Sequence, residues 1–496
     1  MYILAYDFGT GGIKASLFDD TGACRASGFD AYGTSYPAGG FHEQSPEDWW
    51  RATVRSTRLL ADQAGEEAMR QVRAIGISGH SLGVVPLDGS GNLLRGAVPI
   101  WSDSRAGEQA QAFFREVPEA EWYAKTGNGF PAALYSVFKL MWFRDREPDW
   151  FAKANTILGT KDYINFRLCG VCATDFSYAS GTGVYDLASR RYDEGLIAAS
   201  GLPRSLFPEI VPSTQVLGTL TASAAEELGL PQTVKVVAGG VDNSCMALGA
   251  GAYKEGRAYN SLGSSSWIAV SSAKPVIDVV TRPYVFDHVV PGQYASALAI
   301  FSAGTSHTWL RDVLETEYEQ MDAMAAEAGI GAHGLFFNPS LAGGSSLDAT
   351  PAIRGAFANL DLRHTRGDMA RAVMEGIAFG LRGALDELRK LVPVAEPLTL
   401  VGGGAKSLLW RQIYADVYGL RVARTEIGQQ AAALGAAVVA GVGSGMWPDF
   451  DIVDKVTSVS DEERPDPSAS AEYGRLYSRY RALTAHLAAW AQENGN

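Results

Sequence analysis

Asp7 opens the stretch Asp-Phe-Gly-Thr-Gly-Gly, so a carboxylate stands beside a hydroxyl and three glycines within residues 7–12. An aspartate at the end of a strand, next to a turn that exposes backbone N–H groups, can hold Mg²⁺ through water. The turn and the Thr10 hydroxyl can then take phosphate oxygens. Gly9 and Gly11 allow the close backbone approach that a phosphate needs. Residues 13–19, Ile-Lys-Ala-Ser-Leu-Phe-Asp, alternate in a way that predicts a second strand. The glycines therefore sit in a hairpin, and not in the strand-to-helix turn of a G-x-G-x-x-G dinucleotide motif. A turn-capping aspartate is the alternative for Asp7. Lys14 is either a phosphate ligand or a solvent-facing strand lysine.

Three further clusters have chemical potential. Asp242 follows a strand and two glycines in Ala-Gly-Gly-Val-Asp-Asn, residues 238–243. It is either the N-cap of the next helix or a general base placed to meet a substrate hydroxyl. Ser-Leu-Gly-Ser-Ser-Ser-Trp, residues 261–267, repeats the logic of the first hairpin halfway along the chain. Val-Gly-Gly-Gly-Ala-Lys-Ser, residues 401–407, joins a strand to a helix, and its glycines either let an adenine ring lie against the backbone or simply make a tight turn. Cys169 and Cys172 form a C-x-x-C without a second pair at zinc-compatible spacing and read as two small buried residues. The seven histidines are dispersed and imply no metal cage. Trp49, Trp50 and Trp142 read as core.

These clusters need a framework, and alternating strand-like and helical stretches predict an α/β one. Ser45-Pro46-Glu47-Asp48 starts a helix with a cap, a proline and first-turn acids. Residues 72–80 and 234–240 read as strands, and residues 257–272 as a strand, a turn and a strand. Two similar phosphate-type hairpins imply two related domains facing one cleft. The expected division is residues 1–250, 251–460 and a polar tail, 461–496, read as a surface helix.

The chain has 496 residues, 47% of them hydrophobic and 20% charged, enough for more than one core. Its net charge of −13 is spread along the sequence and argues against nucleic acid or an anionic membrane as partner. Four scattered cysteines make no disulfide framework, which points to a reducing cytoplasm. No apolar run reaches the roughly 18 residues of a membrane span.

The order of Asp-Phe-Gly-Thr-Gly-Gly, Trp-Ser-Asp-Ser-Arg (101–105), Gly-Gly-Val-Asp-Asn, Ser-Leu-Gly-Ser-Ser-Ser, the stretch 354–379 and Gly-Gly-Gly-Ala-Lys-Ser resembles the FGGY carbohydrate kinases of the actin-like ATPase superfamily. The likeness is greatest to their xylulose kinase branch and spans about residues 2–445. It implies an α/β fold of two ribonuclease H-like domains with an interdomain active site. It also implies ATP- and Mg²⁺-dependent phosphorylation of a small sugar, most simply a ketopentose such as D-xylulose, giving xylulose 5-phosphate. Another ketose, a deoxy sugar or a polyol is the alternative, and a non-catalytic sugar-sensing protein a more distant one. Under this resemblance Asp7 serves the metal and Asp242 is the base. Gly9, Thr10, Gly11, Lys14, Gly263, Ser264, Ser265 and Gly304 serve the phosphates, and Gly403, Gly404 and Ser407 the adenosine. His80, Ser81, Leu82, Trp101, Asp103, Arg105 and Asn243 face the sugar. The expected partners are the sugar and MgATP, with a homodimer left open.

Three departures from that branch bear on the sugar. Ser-Gly-His-Ser-Leu-Gly, residues 78–83, stands where the branch reads Ser-Gly-Gln-Met-His-Gly, so Ser81 and Leu82 replace a Met-His pair. His80 in the glutamine position is either a compensating ligand or a structural histidine. Gly-Gly-Ser-Ser-Leu-Asp-Ala-Thr-Pro, residues 343–351, replaces Gly-Glu-Arg-Thr-Pro, and Asn359 replaces a signature glycine.

Overall fold

The computed structural model describes residues 1–494, apart from the side chain of Gln429. Strand β1 (Tyr2–Gly9) turns back into β2 (Gly12–Asp19) with Gly9 paired to Gly12, so that only Thr10 and Gly11 lie in the turn. β3 (Cys24–Ala31) completes an antiparallel meander, and helix α1 (Pro46–Ala64), capped by the Ser45 side chain, covers it. β4 (Val72–Gly79) lies parallel to β1 on its other side. Helices α2 (Ser136–Arg146) and α3 (Thr160–Cys169) follow, then β5 (Val216–Thr219), β6 (Lys235–Val237) and the short β7 (Gly240–Val241). The sheet runs β5-β6-β4-β1-β2-β3, with β7 also on β4. Helix α4 (Asp242–Gly249) leads out of it.

The second half repeats the pattern. Strands β8 (Ala258–Leu262), β9 (Ser266–Ser272), β10 (Tyr284–Asp287) and β11 (Tyr294–Ile300) precede β12 (Leu398–Val401), β13 (Val422–Thr425) and β14 (Val459–Glu463). Their order is β10-β11-β9-β8-β12-β13-β14. In both sheets a run of antiparallel strands, three in the first and four in the second, is extended beyond β1 or β8 by parallel strands and closed by an antiparallel edge strand, β5 or β14. The parallel and antiparallel core of each is the ribonuclease H-like arrangement the sequence led us to expect. Helices α5 (Gly304–Leu314), α6 (Arg366–Leu391) and α7 (Leu408–Tyr418) pack around the second sheet.

The two halves interlock through α4 and α8 (Ala431–Ser444). Alanines of α8 pack on Ile3, Ala5 and Ala74 of the first sheet, whereas Ala247 of α4 packs with Tyr259, Ala269 and Ala295 of the second. The contact is close enough to demand glycine: a Cβ at Gly249 would lie 1.8 Å from the Ala431 carbonyl oxygen, and one at Gly435 1.9 Å from that of Cys245.

Some local expectations need correction. Cys172 is exposed and Cys169 half-buried, because they flank the end of α3 at the surface. Trp49 and Trp50 are core, but Trp142 is only partly buried. The C-terminal helix α9 (Pro467–Asn494) is no simple surface helix, since Tyr473, Leu476, Tyr477 and Tyr480 join the core of the second sheet. Among the described residues no helix is long and apolar enough to cross a membrane.

Candidate active site

Strands β1 and β7 flank β4 in parallel, with Asp7 and Gly240 both registered on Ser78 and Val241 on Gly79. The ends of three neighbouring strands therefore bring Asp7, residues 78–80 and Asp242 to one edge, where α/β sheets place their ligands. The Ser78 hydroxyl donates to Asp7 Oδ1 at 2.8 Å, and the His80 N–H to the Phe8 carbonyl at 3.1 Å. Burial raises the Asp7 carboxyl above its ordinary range, against the opposing effects of Ser78 and Lys14.

Asp242 is the first residue of α4, and Val241 occupies the N-cap position, so the capping reading of Asp242 does not describe this helix. Burial, and secondarily the charge of Asp7, push the Asp242 carboxyl up to about 7, although the Asn243 N–H at 2.8 Å pulls it down. Asn243 is half-buried beside it. Beneath them the Ser177 hydroxyl accepts from the Val241 N–H at 2.9 Å and donates to Asp175 at 2.5 Å. Asp175 also accepts from Ser213 at 2.7 Å and pairs with Lys161 at 2.9 Å, and Lys161 pairs in turn with Asp162. The sequence carries no local signal for this support, because its members come together only through the fold.

The first hairpin turn is braced from three sides. Tyr32 donates to the Gly9 carbonyl at 2.6 Å, and Gln44 to the Thr10 carbonyl at 2.7 Å. The Trp49 indole donates to the Gln44 side-chain oxygen at 2.9 Å. A Cβ on Gly11 would meet nothing within 4 Å, so space is kept on the open side of the turn. In the second hairpin the N–H groups of Ala303 and Gly304 bond the carbonyls of Ser264 and Gly263 at 3.0 and 2.9 Å. A Cβ on Gly304 would lie 2.4 Å from the Gly263 oxygen, so glycine is required there.

Gly263, Ser264, Gly304, Gly403, Gly404 and Ser407 line one cavity of about 580 Å³. His307, Tyr318 and Trp410, which the sequence reading missed, supply its aromatic wall, with His307 stacked on Tyr318 at 5.2 Å. Burial holds the His307 imidazole down at about 4. Ser265 is not among the lining residues, and the Ser407 hydroxyl caps α7 by accepting from the Trp410 N–H at 3.1 Å. Lys14 lies elsewhere, in a cleft of about 510 Å³ with Lys406 and Arg424.

The residues expected to face the sugar divide sharply. Trp101 is 36% exposed and its indole donates to the Thr10 hydroxyl at 2.9 Å. Asp103 and Arg105, by contrast, are buried. The Arg105 guanidinium bonds Asp103 Oδ2 at 2.7 Å and Glu43 at 2.6 Å, and lies 4.0 Å over the Phe41 ring. Asp103 also accepts from the His42 N–H at 2.8 Å. The expectation that this pair closes over the sugar is therefore corrected: it clamps the segment at residues 41–43 onto the segment at 100–105. Leu82 is corrected as well, since it is 1% exposed and packs with Val84, Tyr135 and Phe138. His80 is a structural histidine, bonded to the Thr160 hydroxyl at 3.2 Å, edge-on to Trp49 and held neutral by burial at about 4. Ser81, 6% exposed, keeps only a small opening.

The other two departures leave the sugar question untouched. Asn359 has φ +67° and donates to the Gly334 carbonyl at 2.8 Å, so asparagine fills a left-handed position that otherwise calls for glycine. The loop at residues 343–349 lines a separate cavity of about 320 Å³ against Tyr477 and Tyr480 of α9.

Two ribonuclease H-like domains, each with a phosphate-type hairpin, and the half-buried carboxylates Asp7 and Asp242 at a shared strand-end edge define the architecture of an actin-like phosphotransferase. Residues 2–249 match the N-terminal domain and residues 258–444 the C-terminal domain of the FGGY family of carbohydrate kinases. The chain belongs to that family and is a sugar kinase using ATP. It is similar to the xylulose kinase of Escherichia coli K12, 31% identical over 98% of this chain and 99% of that one. The xylulose kinase of Bacillus subtilis strain 168 is 28% identical over 98% and 97%. In three dimensions it resembles the xylulose kinase of Rhodospirillum rubrum, with a TM-score of 0.90 and 32% identity over 99% and 100% of the two chains.

Proposed function

We propose that the protein phosphorylates a ketopentose, D-xylulose first, with Asp242 as the general base and the two hairpins holding ATP. The observation that carries the reading is the position of Asp242: a carboxylate raised to about 7 stands at a strand end beside the phosphate hairpin and Asp7. The D-xylulose assignment is drawn from the xylulose kinases that match nearly the full chain.

In this reading Asp242 accepts the proton of the attacking sugar hydroxyl, whose oxygen bonds to the γ-phosphorus as the ADP oxygen leaves. Thr10 and Gly11 orient the phosphate chain, and Ser264 with the glycines at 263 and 304 orients it from the other domain. Gly403, Gly404 and the ring of Trp410 hold the adenosine. Catalysis of this kind comes mainly from alignment and charge placement.

The residues present suit Mg²⁺. Among the described residues no group of three or more His, Cys, Asp or Glu side chains could hold a metal, so the protein offers Asp7 and, beside it, Asp242. Mg²⁺ keeps several waters and binds through one or two carboxylates together with phosphates. Asp7 would hold it through water, and the bound ion would supply charge neutralisation for the phosphates.

Sugar-dependent release of ADP, measured with D-xylulose, L-xylulose, D-ribulose, L-ribulose and xylitol, tests the proposal. D-xylulose is expected to give the highest kcat/KM. A higher value for another compound would replace D-xylulose by that compound, and no stimulation by any of the five would refute the ketopentose reading.

A further inference from the structure

Lys139 lies in the first turn of α2 with no exposed surface, and among the described residues no carboxylate lies within ion-pair distance of it. Its ammonium donates instead to two backbone carbonyls, that of Leu82 at 3.0 Å and that of Ile100 at 2.7 Å. Removing an ammonium from water without a counter-charge costs several kcal/mol. Burial accordingly brings the Lys139 side chain down to about 7, with Asp103 opposing and Arg105 assisting. A methionine would fill the same space without that cost, so the pair of hydrogen bonds demands a reason.

The two carbonyls belong to neighbours of the cleft. Leu82 immediately follows Ser81, and Ile100 immediately precedes Trp101. Ser81 stands just beyond the end of β4 between Asp7 and Asp242, and Trp101 is bonded to Thr10. Leu82 has φ +61°, a left-handed conformation that costs a leucine energy and persists only where the surroundings enforce it. Ser136, one turn before Lys139, donates to the Gly83 carbonyl at 3.3 Å and grips the same loop. The helix is itself immobilised, since Val137, Phe138 and Leu140 are buried in an aromatic cluster. One nitrogen on a fixed helix thus holds together the two segments that carry Ser81 and Trp101.

We propose that Lys139 is a positioning residue that sets the separation of Ser81 from Trp101 and thereby the width of the sugar pocket. The proposal rests on the assignment of this cleft to the sugar. Lys139 touches no substrate and acts through the two carbonyls. A pocket wall displaced by about 1 Å is enough to impair a reaction that depends on alignment.

The test uses Lys139→Met, which keeps length and apolar volume but removes both donors, and Lys139→Gln, which keeps an N–H₂ group one atom shorter. For Lys139→Met the sugar KM is expected to rise about tenfold or more, with a smaller rise in the ATP KM transmitted through the Trp101–Thr10 bond and a melting temperature close to that of the parent. Lys139→Gln should recover part of the loss. A folded Lys139→Met with an unchanged sugar KM overturns the proposal, as does a parallel fall in sugar affinity, ATP affinity and melting temperature, the mark of a merely structural residue. Should Lys139→Met fail to fold, Lys139→Gln decides by the same criteria. Calorimetric titration with D-xylulose in the absence of ATP separates this proposal from the kinase reading, because binding without phosphorylation by the parent would refute only the latter. A crystal structure of Lys139→Met with the Ser81–Trp101 separation of the parent would overturn the proposal whatever the activity.

Discussion

The indole N–H of Trp101 donates to the hydroxyl of Thr10 at 2.9 Å, joining residues 91 positions apart. The sequence assigned Trp101 to the sugar and Thr10 to the phosphate chain. The hydrogen bond makes them one wall, so in the proposed reading the residue assigned to the sugar also orients the turn assigned to the phosphate.

Trp101→Phe keeps an aromatic ring and removes the donor. Loss of a hydrogen bond worth about 1 kcal/mol should lower kcat/KM for the sugar roughly fivefold and raise the ATP KM as well. Steady-state kinetics in both substrates check this, and an effect confined to the sugar would mean that the bond does not couple the two subsites.

Asp242→Asn should lower kcat by about two to four powers of ten, the usual cost of losing a general base. The same change should stabilise the metal-free protein at high pH. The carboxyl is raised from 3.8 to about 7 on folding. Below 3.8 it is protonated in both states, and its penalty grows as pH rises towards 7, above which the folded state carries the charge. The melting temperature of Asp242→Asn should therefore exceed that of the parent at pH 8 and approach it near pH 4. A difference independent of pH would show that the carboxyl is not raised.

Arg105→Met should act on stability before it acts on the sugar. It would leave the buried Asp103 without its cation and Glu43 with only the longer contact to Arg95 at 3.5 Å, at a cost of about 3–5 kcal/mol. Chemical denaturation should show the loss, with the sugar KM of the remaining folded protein little changed. Intact stability with a weakened sugar KM would return Arg105 to the sugar pocket.

Leu82→Ala empties core volume beside Val84 and Phe138 and should cost about 2–5 kcal/mol. The order of preference among the four ketopentoses should stay the same, because the side chain faces away from the cleft. A stable variant with a reordered preference would contradict the packing described here.

The hairpins, the two-domain repeat and the place of Asp242 were all legible in the sequence. Glycine where a backbone must stay open and alternation where a strand is half-buried are local properties, written in adjacent residues. Gly263, Gly403 and Gly404 follow strand ends and meet Gly304, at the start of α5, in one cavity, because the fold brings these ends together. The aromatic wall of that cavity was not legible, because the patterns of His307, Tyr318 and Trp410 match ordinary helix positions.

By itself the sequence determined which backbone segments could receive phosphate, which carboxylates end strands, and that two related sheets face each other. Only the tertiary structure decided which side chains reach the cleft. Trp101, Asp103 and Arg105 share five consecutive residues, yet one is exposed and two are buried, because Phe41 and Glu43 arrive from a segment about 60 residues earlier to enclose the guanidinium. Leu82 turns inward for a similar reason, its carbonyl held by Lys139, 57 residues further along the chain. The direction of a loop side chain is set by the packing partners that surround it, and these come together only when the whole chain has folded.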